Sequence, residues 1–201
     1  QRRRSLPGSM RSIVLLLALA GVSADVVEPK TGIKFSDKRG GASLSRLGVR
    51  YKGPIKVYAV GEYSDGTYAL KMSYGVGAAK MTSALADALK PRCSDAAAIE
   101  EFEECLAKGL PNGAPKGTTM EFETGGGSLG VSVNGKGVGK VGSKMLSSAF
   151  ANIYCDGKAV CTMTPVGDDG EAAASAGGFL TPKRGAVIGA TVGYALGKVL
   201  G

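Results

Sequence analysis

Residues 47–63, LGVRYKGPIKVYAVGEY, constrain the fold more than any other part of this 201-residue chain. A loop bearing Arg50 leads into a Gly-Pro break, and a strand over residues 55–63 follows. In a strand, successive side chains point to opposite faces. One face carries Ile55, Val57, Ala59 and Tyr63, and the other carries Lys56, Tyr58, Val60 and Glu62. Such a strand can line a pocket as well as cover a core.

The remaining elements are predicted from periodicity, turn residues and helix caps. The predicted strands are residues 31–35, 55–63, 67–74, 118–124 and 129–133. The predicted helices are residues 79–90, a segment capped by Ser94 with Ile99 and Phe102 on its inner face, and residues 140–154, whose buried face includes Val141, Met145 and Phe150. Strands first, two helices, a hairpin and a last helix indicate an α+β fold.

Composition excludes several classes of protein. The chain has no histidine, which removes Ser-His-Asp hydrolases and most zinc enzymes. Its acidic residues form no metal-binding pattern, so we expect neither a metal nor a cofactor. The net charge is +8, but the basic residues are dispersed and no basic-aromatic cluster indicates a nucleic-acid site.

The first 24 residues are predicted to be a targeting segment. Residues 1–9 precede the first methionine and are set apart as extra sequence. Residues 10–24, MRSIVLLLALAGVSA, have the charged start, apolar run and small residues of a signal peptide, with cleavage expected after Ala24. This predicts the secretory pathway, or an organelle reached through it such as an algal plastid. An organelle presequence is the alternative.

The end of the chain is predicted to be a linker, residues 167–184, followed by a hydrophobic helix, residues 185–201. Within that helix, Gly185, Gly189, Gly193 and Gly197 recur at every fourth position and share one face. We expect this glycine stripe to contact a membrane or a partner helix. A helix packed on the domain, or a frayed terminus, is the alternative.

The four cysteines are Cys93, Cys105, Cys155 and Cys161. An even number in an exported chain favours disulfides, and we expect the local pairs Cys93–Cys105 and Cys155–Cys161. A zinc site is the weaker alternative because no CxxC spacing and no histidine is present. A buried free thiol at Cys105 is a further alternative, since that residue lies on an apolar helical face.

The order of the motifs resembles the chalcone isomerase-like family. The GVR arginine segment, the KVYAVG strand and the later segment GKVGSKMLSSAFANIY, residues 139–154, occur in the family's order. The resemblance covers about residues 30–166, taken as one domain. It implies an open-faced β-sandwich, in which a large antiparallel sheet carries a layer of helices with a ligand cleft between them.

In catalytic members of that family, an arginine, a lysine and several hydroxyl and amide groups cyclise a flavonoid precursor. By the resemblance, Arg50 matches the arginine and Lys80 the lysine. Tyr58, Gly77 and Ala84 replace the threonine, tyrosine and asparagine. Loss of one positioned donor typically lowers a rate by about two to three orders of magnitude, so we do not expect efficient cyclisation. If the chain is an enzyme, it is an intramolecular lyase or isomerase that uses Arg50 and Lys80.

The pair Arg50 and Tyr58 resembles the fatty-acid-binding branch of the family, with Lys80 as a further candidate ligand-binding residue. A guanidinium and a phenol can together hold a carboxylate, while apolar surface holds the acyl chain. We therefore predict a protein that binds a fatty acid or a similar amphiphilic carboxylate. A structural subunit of a membrane assembly is another alternative. Arg50 capping a turn or pairing with a surface acid, and Tyr58 acting only in packing, are the non-functional explanations.

Overall fold

The computed structural model describes residues 24–167, which form three helices and ten strands. The predicted targeting segment, and the predicted tail from residue 168 onward, lie outside the described residues. The strands are β1 (Asp25–Val27), β2 (Lys34–Ser36), β3 (Lys38–Arg39), β4 (Ala42–Lys52), β5 (Ile55–Tyr63), β6 (Thr67–Met72), β7 (Thr119–Glu123), β8 (Leu129–Val133), β9 (Lys136–Val141) and β10 (Met163–Pro165). The helices are α1 (Ala78–Leu89), α2 (Ala96–Gly109) and α3 (Lys144–Cys155).

Eight of the strands form one antiparallel sheet. Its order is β10-β4-β5-β6-β7-β8-β9, with β3 paired to β4, while β1 and β2 form a separate two-stranded ribbon. The helices cover one face of the large sheet, so the predicted α+β class and the open-faced β-sandwich are confirmed.

The alternation predicted for residues 55–63 is confirmed at its buried positions. Tyr58 and Val60 pack in the larger core, between the sheet and the three helices. Ala59 and Tyr63 pack on the opposite face in a smaller core, where Phe35 of β2 is fully buried. The central strand β5 therefore separates two hydrophobic clusters, as its period of two requires.

Five strands were not predicted: the short strands β1, β3 and β10, and the longer strands β4 and β9. β4 includes the segment that the sequence analysis assigned to a loop, so Arg50 lies on a strand. β9 has the sequence KGVGKV and only one fully buried residue, Val141, which gives it almost no hydrophobic pattern. It forms because Asn134 and Gly135, at φ 51° and 76°, turn the chain back against β8.

The starts of two helices also differ from the prediction. α2 is capped by Asp95, whose side chain accepts a hydrogen bond from the Ala98 amide at 3.1 Å, and not by Ser94. α3 begins at Lys144, after Ser143 caps it through the Leu146 amide. Met145, predicted to be buried, is exposed because the buried face of α3 runs through Leu146, Ala149, Phe150 and Ile153, and Met145 lies beside that face.

Candidate functional site

Arg50 and Tyr58 lie directly opposite each other on β4 and β5. Residues paired in this way project from the same face of the sheet, here the face that carries the helices. Tyr58 is buried, and Arg50 is half-buried near one end of its strand. The register therefore brings together the two residues that the sequence analysis selected as a carboxylate-binding pair.

Arg50 has no carboxylate partner among residues 24–167, unlike the other three arginines of this range. Arg39 binds Glu121, Arg46 binds Glu62, and Arg92 binds Asp156. Arg50 instead donates from Nη1 to the carbonyl oxygen of Val160 at 2.6 Å. A guanidinium offers five N–H donors, so one bond to a neutral carbonyl leaves capacity for an anion.

The Val160 bond also bears on the two non-functional explanations. Arg50 does hold a loop, residues 156–162, which follows α3 and precedes β10. Pairing of Arg50 with an acid does not occur within the described part of the chain. The Arg50 guanidinium therefore has no acid to compensate its charge among residues 24–167, while one of its N–H groups is hydrogen-bonded to the loop that contains Val160.

Tyr154, at the end of α3, meets Tyr58 inside the core. Their hydroxyl oxygens lie 3.4 Å apart, well beyond the usual 2.7–2.8 Å of an O–H···O hydrogen bond. Burial raises the pKa of Tyr58 to about 12, although Tyr154 and Arg50 both oppose the shift. Burial also raises the pKa of Tyr154 well above its ordinary value. Both phenols are therefore neutral at pH 7 and able to donate.

Sequence analysis did not select Tyr154 as a site residue. It appeared only as the last letter of the family-like helix segment. Its position four residues after the buried Phe150 places it on the inner face of α3, and this spacing was the available signal.

A surface depression of about 450 Å³ adjoins Tyr154. It is lined by Arg46, Tyr154, Cys155, Asp156, Gly157, Ala159, Cys161, Thr162 and Met163. Most of these residues belong to the loop 156–162, to which Arg50 is hydrogen-bonded through Val160. Burial raises the pKa of the Cys161 thiol to about 11, and the nearby Arg50 charge opposes that shift. Tyr154 and Cys161 thus line the depression, whereas Arg50 and Tyr58 do not.

A hydrogen-bonded set of side chains, Tyr68, Glu62 and Arg46, lies beside Tyr154 on the same face of the sheet. The ring of Tyr68 stacks on Tyr154 at 5.3 Å, and its hydroxyl donates to Glu62 Oε1 at 3.1 Å. Glu62 in turn binds Arg46, which also donates from Nη2 to Cys155 Sγ at 3.0 Å. The bond to Glu62 is the main cause that raises the pKa of Arg46. The positive charge of this arginine is therefore already compensated by the Glu62 carboxylate.

The space predicted to be an open cleft is filled by aromatic side chains. The rings of Phe122 and Phe150 are 4.5 Å apart at their centroids, and Phe102 packs about 6 Å from both. All three are fully buried between the sheet and the helices. The structure therefore differs from the expectation of a preformed cleft: around these rings the sheet and the helices are in direct contact.

Lys80 does not join the cluster. It lies in the first turn of α1 with its side chain exposed. The two replacement positions on this segment are exposed as well: Gly77 is the N-cap of the helix, and Ala84 lies one turn after Lys80. The structure therefore brings together Arg50 and Tyr58, but not Lys80, from the predicted ligand-binding set.

The predicted disulfides are wrong, since all four cysteines are free thiols. Cys93 and Cys105 are buried at different places in the core, and the Cys105 sulfur packs over Gly139 of β9. Cys155 contacts Arg46, whereas Cys161 faces Met163 at 3.9 Å. Among residues 24–167, no group of these thiols and carboxylates could hold a metal ion. No helix of the same range is long and apolar enough to cross a bilayer.

Comparison with solved structures places the fold. The crystal structure of a fatty-acid binding protein from Arabidopsis thaliana, a chalcone isomerase-like protein, matches with a TM-score of 0.60 and 22% sequence identity. The match covers 65% of this chain and 88% of that one. Neither a family model nor a curated protein sequence matches the chain. The resemblance to the chalcone isomerase-like proteins is thereby confirmed at the level of the fold.

Proposed function

We propose that this protein binds a fatty acid or a similar amphiphilic carboxylate, with the carboxylate held between Arg50 and Tyr58. The observation that carries the proposal is the state of Arg50, the arginine without a carboxylate partner among residues 24–167, opposite a buried phenol. The name of the structural neighbour, a fatty-acid binding protein, gives independent support.

The chemistry of the pair suits a carboxylate. A guanidinium can donate two parallel N–H bonds to the two oxygens of one carboxylate, and such charge-assisted bonds are about twice as strong as neutral ones. The neutral Tyr58 hydroxyl can donate a third bond. Its present contact with Tyr154 is long, so little is lost when a charged acceptor replaces it.

Such binding requires the loop 156–162 to move. A carboxylate at the guanidinium competes with the Val160 carbonyl, which is a weaker acceptor because it is neutral. The depression beside the loop, at about 450 Å³, is within the usual size range of ligand pockets, about 300–1,000 Å³. The acyl chain would extend between the sheet and the helices as the aromatic side chains there move apart, gaining about 0.8 kcal/mol for each buried methylene.

The decisive experiment titrates the purified full chain with a long-chain fatty acid, by calorimetry and by native mass spectrometry. We expect Arg50→Ala to weaken binding about 10- to 100-fold, since a hydrogen bond to a charged group contributes about 1.5–3 kcal/mol. Arg50→Lys keeps the charge but cannot donate two parallel hydrogen bonds to one carboxylate. Its affinity for fatty acid should lie between those of the wild type and Arg50→Ala.

Arg39→Ala is the matched control. Arg39 is also half-buried, but it binds Glu121. Its charge favours a lower pKa for Tyr63, which packs in the smaller core on the opposite face of the sheet from Tyr58. Its removal should leave the affinity for fatty acid unchanged. A wild-type chain that takes up no fatty acid, or an Arg50→Ala variant that binds as tightly as the wild type, would overturn the proposal.

A further inference from the structure

One end of the large sheet is formed by chain segments that carry lysines and no acids. The segments are residues 51–57, 71–80, 113–119 and 133–138, and we name them together the lysine edge. They contain Lys52, Lys56, Lys71, Lys80, Lys116 and Lys136, without a single Asp or Glu. Because the strands are antiparallel neighbours in the sheet, the end of β4, the start of β5, the end of β6, the start of β7 and the β8–β9 turn all meet at this edge.

The charges of the lysine edge are not neutralised within the part of the chain that the structure describes. Ion pairs with acids are formed by Lys34, Lys90 and Lys108, which lie outside the four segments of the lysine edge. Lys56 and Lys71 donate to the main-chain carbonyls of Lys30 and Lys34, and the Lys71 ammonium also lies 4.8 Å from the centre of the Phe35 ring. The nearest acid along the adjoining loop, Glu28, is buried, and its carboxylate is already hydrogen-bonded by the Lys30 and Thr31 amides of its own loop.

Large apolar side chains are exposed among these lysines. Tyr51 is 38% exposed and Ile55 42% exposed, on the two strands of the β4–β5 hairpin. Tyr74 is 54% exposed and lies beside them, since its amide donates to the Val57 carbonyl at 3.1 Å. Three of the five exposed large hydrophobic residues of the described chain thus lie on the lysine edge.

We propose that the lysine edge docks on the surface of an anionic lipid bilayer. Tyrosine is enriched at the boundary between water and lipid, where its ring is apolar and its hydroxyl stays hydrated. Lysine near an anionic bilayer contributes about 1 kcal/mol each, and its long stem reaches past apolar neighbours to the head groups. A hairpin that presents Tyr51, Lys52, Ile55 and Lys56 in a row combines both features. This docking surface does not depend on carboxylate binding at Arg50.

The first test is sedimentation of the purified full chain with vesicles of phosphatidylcholine alone, or with about one third phosphatidylglycerol. We expect binding to the anionic vesicles only, weakened by salt. Lys52→Glu with Lys56→Glu should lower the partition coefficient at least about tenfold, from the loss of about 1 kcal/mol per lysine. Lys140→Glu with Lys144→Glu makes the same charge change at exposed positions of the opposite end, and should alter binding less than about twofold.

Several outcomes would overturn the proposal. Binding that is unchanged in the Lys52/Lys56 variant would show that another part of the chain is responsible, and equal loss in both double variants would show an effect of net charge alone. Retention of the wild type on polyglutamate but not on vesicles would indicate an acidic protein as the partner. All four substituted side chains are exposed, so an unchanged circular dichroism spectrum is expected for both variants.

The second test measures insertion directly. The chain has no tryptophan, so Ile55→Trp introduces a single tryptophan, which can be excited selectively, at the tip of the hairpin. Its emission should shift to the blue when anionic vesicles are added. Met145→Trp, at a position 48% exposed on α3, should show no shift. Vesicle binding without a shift at residue 55, or with an equal shift at residue 145, would contradict docking through the lysine edge.

Discussion

The hydroxyl oxygens of Tyr58 and Tyr154 face each other at 3.4 Å inside the core, and Arg50 lies across the strand pair from Tyr58. The long contact leaves both phenols poorly satisfied, while the adjacent guanidinium has no anion among the described residues. These three side chains come from β4, β5 and α3, which the sheet register and the packing of α3 bring together.

The two tyrosines should contribute unequally to ligand binding. Tyr58 is opposite Arg50, so Tyr58→Phe should lower the affinity for fatty acid about tenfold through loss of one charge-assisted hydrogen bond. Tyr154 contacts Tyr58 rather than the guanidinium, so Tyr154→Phe should change the affinity by less than about threefold. Calorimetric titration of both variants measures the difference, and equal losses would contradict the assignment of Tyr58 as the donor.

Stability should fall in alkaline solution because of the buried phenols. The pKa of Tyr58 is raised to about 12, above its ordinary value of 10.0, so folding disfavours the ionised form. The stabilising contribution is complete below pH 10 and is lost as the pH rises from about 10 to about 12. Denaturant midpoints measured across this range should fall less steeply for Tyr58→Phe than for the wild type.

Tyr74→Phe is the control for that experiment, because Tyr74 is exposed. Its midpoints should follow those of the wild type at every pH. If Tyr58→Phe also follows the wild type, ionisation of Tyr58 does not govern the alkaline loss of stability.

The four thiols should differ in their rates of alkylation. Cys155 is exposed and should react first. Cys161 should follow slowly, because burial raises its pKa to about 11 and the thiolate is the reactive form. Cys93 and Cys105 are buried and should react only after unfolding. Mass spectrometry after alkylation in denaturant without reductant should find four labels on each chain, and fewer labels would indicate disulfides.

Gly139 should tolerate no side chain while Cys105 faces it. A Cβ at this position would lie 2.6 Å from the Cys105 sulfur, so Gly139→Ala should lower the free energy of unfolding by about 1–3 kcal/mol. Cys105→Ala should relieve the clash, making the double variant less destabilised than the sum of the two single variants. Gly137→Ala, on the same strand with no atom within 4 Å of its Cβ, should have little effect. Additive losses would show that the contact is not the cause.

The local patterns of the chain were sufficient for the central elements. The alternation from residue 55 to 63 predicted β5 and its two faces because a strand half-buried on each side must repeat every two residues. The inner face of α2, including Ile99 and Phe102, followed from helical spacing in the same way. β9 had no such pattern, since four of its six residues are glycine or lysine, and its pairing depends on the turn at Asn134 and on β8.

The candidate site was only half determined by sequence. Arg50 and Tyr58 were found from their motif, and one β-hairpin is enough to place them opposite each other. Tyr154 and the Val160 carbonyl are about a hundred residues away in sequence, and no local pattern could show that α3 and its following loop cover the pair. The filled cleft and the free cysteines were likewise decided by tertiary packing, because side-chain volumes and sulfur neighbours depend on contacts between elements that are distant in the chain.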